Sequence, residues 1–283
     1  MRNDYDDALR PEVFDSAEEG RAWLPDGWHP DAFDIAETNE LIAAVTAEPI
    51  PVVEELASLL ELARNRGARG LRNALAHPAA SGGTDVTTDE AADLTEPFRV
   101  LLDVVGDGVT LTGAGYLKPA AIEQIAHRTG ITEWWIGKAN REDLTWPVAE
   151  LRATARALGL VSVRKGRIAP TQTIAKRRDD PQAILGHIIG RIPLGTTPAE
   201  RHAGWMALTV VANETPAELW EESISELLFD LGWRDREDPY RAPSPDSPTL
   251  DALHLLAGAM RANGRPKGVN TAVAAIARAV IRA

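Results

Sequence analysis

Cysteine is absent from the 283-residue chain, which excludes a disulfide framework and any metal site built on thiolates. No apolar run approaches the ~18 residues that a helix needs to cross a bilayer, so the sequence predicts no membrane segment. The first residues, MRNDYDDALRPEV, are acidic and lack the apolar stretch of a secretory signal. These absences favour a cytoplasmic location.

Runs of alternating β-branched residues are also scarce. The apolar residues, 44% of the chain, are mostly Ala, Leu, Ile and Val, and they recur at helical spacing. This pattern predicts a mainly helical protein.

Charge is distributed unevenly behind the net value of −12. Residues 1–96 carry 21 acidic and 7 basic side chains, whereas residues 118–178 carry 12 basic and 5 acidic. Because phosphate contacts are local, a basic segment in an acidic chain indicates more about binding partners than the net charge of the whole chain does. The competing interpretation is a solvated charged face, which is the commoner use of such a run.

The centre of the chain has the element order of a winged helix. Pro97 suits the first turn of a helix, and "VTLT" at 109–112 predicts a short strand. Pro119 and Pro147 each open a further helix, and "LVSVRKGRIAPT" predicts a hairpin over 160–171 that turns at its glycine. We expect the strand to lie beside the hairpin, because an isolated two-stranded hairpin is marginal in water.

These patterns together predict a mainly α fold: a winged helix-turn-helix-like central domain with a small β-sheet, flanked by helical N- and C-terminal regions. The predicted divisions are an acidic helical region 1–75, a linker 76–96, the winged-helix-like domain 97–180 and a helical region 181–283 with a flexible segment 234–248.

A family resemblance rests on four stretches of the central region: "VGDGVTLTGAGYL", "WIGKANREDL", "LRATARALGL" and "VRKGRI". They resemble the C-terminal region of actinobacterial insertion-element passenger proteins, grouped with a plasmid open-reading-frame family. The resemblance covers roughly residues 98–195, with weaker matches at "PLG" and "GW" further on. It implies a connection with mobile genetic elements and brings no catalytic residue.

Enzymatic motifs are scarce, and we expect no enzyme, cofactor or metal. The sequence contains no GxxxxGK[ST] phosphate loop, HExxH or GxSxG motif. The glycines of "GDGVTLTGAG" precede the predicted strand, whereas a dinucleotide site needs them between a strand and a helix. The six histidines are scattered, with no two at helical ligand spacing.

For DNA binding, two predicted helices are alternative candidates for the reader, which is the helix that contacts base edges. A reader at 132–139 would present Trp134, Trp135 and Lys138, a set with little for base edges. A reader at 147–159 presents two arginines four residues apart on one face, flanked by the cations of the hairpin, and we prefer it. The candidate nucleic-acid-binding residues are Arg152, Arg156, Arg164, Lys165, Arg167, Lys176 and Arg177.

The predicted partner is therefore duplex DNA. The alternative is a winged-helix scaffold for protein–protein contact or self-association, because a fold does not fix a function. We expect at least two of Trp134, Trp135 and Trp146 to be mostly buried, since rings of that size hold a loop by area alone.

Overall fold

The structure, a computed structural model, describes residues 49–282. Within that range it contains eleven α-helices and three short strands, which confirms the mainly helical class with a small sheet. The helices are α1 Glu54–Asn65, α2 Gly70–Ala76, α3 Thr88–Val105, α4 Pro119–Arg128, α5 Trp146–Ala157, α6 Gln172–Ala175, α7 Pro181–Ile189, α8 Pro198–Ala212, α9 Trp220–Asp230, α10 Pro248–Leu256 and α11 Thr271–Ile281. The strands are β1 Val109–Thr110, β2 Val161–Arg164 and β3 Arg167–Pro170.

Prolines and polar caps set most helix starts. Helices α4, α5, α7, α8 and α10 each have a proline in the first two positions, where its missing N–H costs no hydrogen bond. The side chains of Asp180 and Asn270 accept hydrogen bonds from the first turns of α7 and α11. The starts expected at Pro119 and Pro147 are confirmed to within one residue.

Helix α3 begins at Thr88, so the start expected at Pro97 is wrong. Thr87 caps the helix through its hydroxyl, and the Glu90 side chain accepts from the Thr87 backbone in return. This capping box outweighs the loss of one helical hydrogen bond at Pro97, which lies inside the helix. The last nine residues of the predicted linker are therefore helical.

The three strands form one antiparallel sheet in the order β1-β3-β2. Val109 pairs with Ile168, and Val161 pairs with Pro170. The Leu111 N–H donates to the Gly166 carbonyl at 2.8 Å, which carries the contact to the tip of the hairpin. The expected placement of the strand beside the hairpin is confirmed, with β1 shorter than predicted.

A single hydrophobic core joins the described elements. Helix α8 packs against α9, α10 and α11, and α7 packs against α3, so the helical C-terminal region shares its core with the sheet domain. Leu56 and Leu71 of α1 and α2 are fully buried in the same core. The boundary predicted at 180/181 thus coincides with no break in the packing. Of the predicted acidic region, residues 1–48 lie outside the described residues.

The two ends of the described chain meet. The Val53 N–H donates to the Ile281 carbonyl at 3.0 Å, and Val52 forms an isolated β-bridge with Arg282. Arg278, 4% exposed, donates to the carbonyls of Ala79 and Gly83, and so ties the loop after α2 to the last helix. In the part of the chain described, no helix is long and apolar enough to cross a membrane.

Candidate nucleic-acid interface

The β2–β3 hairpin carries three of the predicted cations at its tip. Lys165 and Gly166 are the two central residues of the turn, with φ of +48° and +70°, as a tight hairpin with matching twist requires. Lysine is an unusual choice at a positive-φ position, where glycine and asparagine are favoured. Arg164 and Arg167 are direct cross-strand partners, and both are exposed. Like charges in that position destabilise a sheet, so folding alone does not explain them.

Asp107 connects the hairpin with a second basic segment. Its backbone carbonyl accepts from Nη2 of Arg167 at 3.2 Å, and its carboxylate lies 3.5 Å from Nη1 of Arg178. Lys176 and Arg177, both exposed, directly precede that arginine. The structure therefore places the hairpin tip and the segment 176–178 around one loop.

The basic residues of the central region fall into two groups. Four arginines have carboxylate partners: Arg128 with Asp103, Arg141 with Asp143, Arg152 with Glu142, and Arg178 with Asp107. Six of the predicted site residues form no ion pair with any described residue, and all six are exposed: Arg156, Arg164, Lys165, Arg167, Lys176 and Arg177. Among the predicted site residues, uncompensated positive charge therefore lies at the hairpin, at the 176–177 segment and at the end of α5.

Arg152 has a different position from the one the sequence predicts. Its Nε lies 2.6 Å from Oε1 of Glu142, a carboxylate only 1% exposed, at an angle that makes the contact ionic rather than a hydrogen bond. Its Nη1 donates to the Gly115 carbonyl at 2.9 Å. The other Glu142 oxygen accepts from the Leu117 N–H at 2.6 Å. Arg152 thus holds two loops together and is not available beside Arg156.

The sequence reasoning missed Glu142. The residue lies in a charged stretch, "NREDL", in which nothing distinguishes it from its exposed neighbours Arg141 and Asp143. Its burial depends on contacts with Leu117 and Arg152, which are distant in sequence. A single sequence contains no signal that pairs them.

Three tryptophans surround the N-terminal end of α5. Trp134, Trp135 and Trp146 have ring centroids 5.6–6.2 Å apart. Trp134 and Trp135 pack, partly buried, against the core, whereas Trp146 is 47% exposed. Two of the three rings therefore hold the segment in place, in line with the expectation. The Trp134 indole N–H donates to the Met260 carbonyl at 2.8 Å, which ties this segment to the turn after α10.

Carboxylates also lie along this side of α5. Burial, with a smaller contribution from the neighbouring Asp251 of α10, raises the pKa of Glu150 to about 7. Burial likewise raises the pKa of Asp251, with a smaller contribution from Asp246. The α5–α10 contact thus carries acidic groups, whereas the hairpin tip carries basic ones.

A polar cleft of about 590 Å³ lies between α3 and α4. Its charged lining residues are three arginines and three carboxylates, so it selects neither sign of charge. These residues are Glu96, Arg99, Asp103, Arg128, Arg178 and Asp179.

Metal ligands do not cluster in the described range: no group of three or more His, Asp or Glu side chains there is arranged to hold an ion.

Comparisons of the chain with protein-family models, with curated proteins and with solved structures find no match.

Proposed function

We propose that this chain is a non-enzymatic protein that binds duplex DNA through a winged-helix domain. The order α3-β1-α4-α5-β2-β3 and the sheet order β1-β3-β2 support the winged-helix interpretation, with the β2–β3 hairpin as the wing. We name the cations Arg164, Lys165, Arg167, Lys176 and Arg177 the wing surface. A role at mobile genetic elements and a cytoplasmic location remain predictions of the sequence.

One observation carries the proposal. Arg164 and Arg167 face each other across the hairpin, on either side of a lysine at positive φ, and no carboxylate pairs with Arg164 or Lys165 among the described residues. Repulsion between these cations destabilises the protein when nothing is bound, and a bound polyanion removes that repulsion. Phosphates of a DNA backbone are spaced along a strand and so meet several of these cations together.

The test is the salt dependence of binding to a labelled random-sequence duplex, measured by fluorescence anisotropy. If three to five phosphates are contacted, log K falls with log salt at a slope of about −3 to −5. Changing Arg164, Lys165 and Arg167 together to Ala should flatten the slope by about one unit for each phosphate that is no longer neutralised.

The matched control removes three exposed cations elsewhere: Arg64, Arg236 and Lys267. Its net charge changes by the same amount, and its slope should equal that of the unmodified protein. Absence of binding at ~50 mM salt, where phosphate attraction is still strong, would reject the proposal.

The second candidate function is a scaffold for protein contact, which three exposed apolar side chains in one part of the chain favour. Ile136 is 95% exposed, Leu144 61% and Trp146 47%, all in or next to the segment that joins α4 to α5. Such side chains mark a contact site where they form a contiguous surface. Under this function the protein self-associates as its concentration rises, Ile136→Ser abolishes the association, and the wing variants have no effect on it.

A further inference from the structure

The N-terminal end of α5 is the part of the fold that a helix-turn-helix protein places in the major groove, where its first residues contact base edges. In this chain, residues of the C-terminal region pack against that end of α5. Trp146, the first residue of α5, lies against Gly264, so closely that a Cβ there would come within 2.2 Å of the ring. Trp134 is hydrogen-bonded to the Met260 carbonyl, and α10 packs along α5.

The turn after α10 is itself anchored. Arg261 forms an ion pair with Glu96 of α3, and Met260 is 3% exposed. The contact over the start of α5 is therefore anchored to the folded core through Met260, and DNA that displaced it would break the Trp134–Met260 hydrogen bond.

Charge separates the two ends of the domain. The first turns of α5 contain Glu150 and lie near Asp251 and Asp246, and none of these three residues offers a cation to phosphate. Six exposed cations without a described ion-pair partner lie at the wing surface and at Arg156, in the last turn of α5, whereas the segment before α5 has one, Lys138. A polyanion approaching this protein therefore meets the wing first.

The exposed residues of α5 offer little for reading bases. In its later turns they are Ala153, Arg156 and Ala157. Alanine contacts only the thymine methyl group, and direct readout needs several side chains with paired donors or acceptors.

We propose that the protein binds duplex DNA wing-first, through phosphates and independently of base sequence, with the N-terminal end of α5 outside the groove. The inference rests on the proposed function. It adds that the wing surface makes the main contacts and that α5 supplies at most its last turn.

The test uses the full chain and two matched charge reversals. Lys165 at the wing tip and Lys138 in the segment before α5 are both exposed and without a described ion-pair partner. Lys165→Glu should weaken binding to a random duplex by ~10-fold or more at ~100 mM salt, and Lys138→Glu by less than ~2-fold, because screening confines the effect to nearby phosphates. Ala153→Glu, on the outer face of α5, should also change affinity by less than ~2-fold. Thermal unfolding followed by circular dichroism verifies that each variant is folded.

Sequence dependence is tested in the same assay with two duplexes of equal length and unrelated sequence. We expect their affinities to agree within ~3-fold, whereas specific binders separate sites by ~10³ or more. A loss with Ala153→Glu or Lys138→Glu as large as with Lys165→Glu would overturn the wing-first inference and leave the proposed function standing, as would a ~10³-fold preference for one duplex. If the unmodified protein binds neither duplex at ~50 mM salt, the proposed function itself fails.

Discussion

Arg152 and Glu142 form an ion pair at 2.6 Å in which the carboxylate is 1% and the guanidinium side chain 21% exposed. The same carboxylate accepts from the Leu117 N–H, and the same guanidinium donates to the Gly115 carbonyl. The pair therefore fixes the loop before α4 against the segment before α5. A residue expected to contact DNA is instead a support of the domain.

The first prediction separates the two arginines of α5. Arg152→Ala leaves the Glu142 carboxylate buried without its cation, which should cost about 3 kcal/mol of unfolding free energy. Arg156→Ala, one turn further on and exposed, should change stability by less than about 0.5 kcal/mol. Guanidinium unfolding of the two variants measures the difference. Equal stability of the two would show that the buried pair contributes nothing.

The second prediction concerns the contact between Trp146 and Gly264. Gly264 has φ of +72°, and an added Cβ would lie 2.2 Å from Cη2 of the tryptophan ring. Gly258, with φ of +92° and open space around it, is the matched control for backbone strain alone. Gly258→Ala should cost about 1 kcal/mol, and Gly264→Ala about 1–2 kcal/mol more, because the ring must move.

A double variant isolates the contribution of the ring to that difference. In a Trp146→Ala background the extra cost of Gly264→Ala over Gly258→Ala should disappear, since no ring is left to displace. An extra cost that persists there would assign the strain to another neighbour.

The third prediction is a pH dependence of stability set by Glu150. Its pKa is about 7 in the folded protein, against an ordinary value of 4.5, so between these pH values the folded state binds more protons than the unfolded state. Stability due to this group is therefore complete below pH 4.5 and decreases as the pH rises to about 7. Glu150→Gln removes the effect and should stabilise the protein by about 1 kcal/mol at pH 8, with no difference at pH 4, after allowance for solvent screening of a partly exposed group.

Denaturant unfolding of both proteins across this pH range measures the effect. Glu123→Gln, on the exposed face of α4, is the control, and its difference from the unmodified protein should not vary with pH in the same way. A Glu150→Gln difference that is constant with pH would contradict the prediction.

The fourth prediction concerns the acidic N-terminal region. Residues 1–46 contain twelve acidic and three basic side chains, so their deletion should raise duplex affinity several-fold at low salt and less at high salt. Deletion of residues 1–75 should instead abolish cooperative unfolding, because Leu56, Leu71 and Leu75 are fully buried. Anisotropy titrations and thermal melts distinguish the two outcomes. Equal affinity with and without residues 1–46 at ~50 mM salt would refute the electrostatic argument.

Local signals predicted the elements of the central region. Pro119 and Pro147 mark helix starts, and "RKGR" marks the hairpin, because these effects act within a few residues. The capping box at Thr87 is also a local signal, but the helix start is predicted at Pro97, the more conspicuous residue. Contacts at long range were beyond prediction. Three such contacts join residues that are far apart in the chain, and a single sequence contains no signal that pairs them. They are the burial of Glu142, the hydrogen bond from the Trp134 indole to Met260 and the packing of α10 along α5.

The bridge between Val52 and Arg282 has a consequence for biosynthesis. The end of α11 forms this bridge with the residues that precede α1. Arg278, also in α11, donates hydrogen bonds to the loop after α2. During translation these N-terminal elements emerge long before their partners. The core therefore stays incomplete until Ile281 and Arg282 have left the ribosome, and the contacts of α11 with the start of α1 and with the loop after α2 form only then.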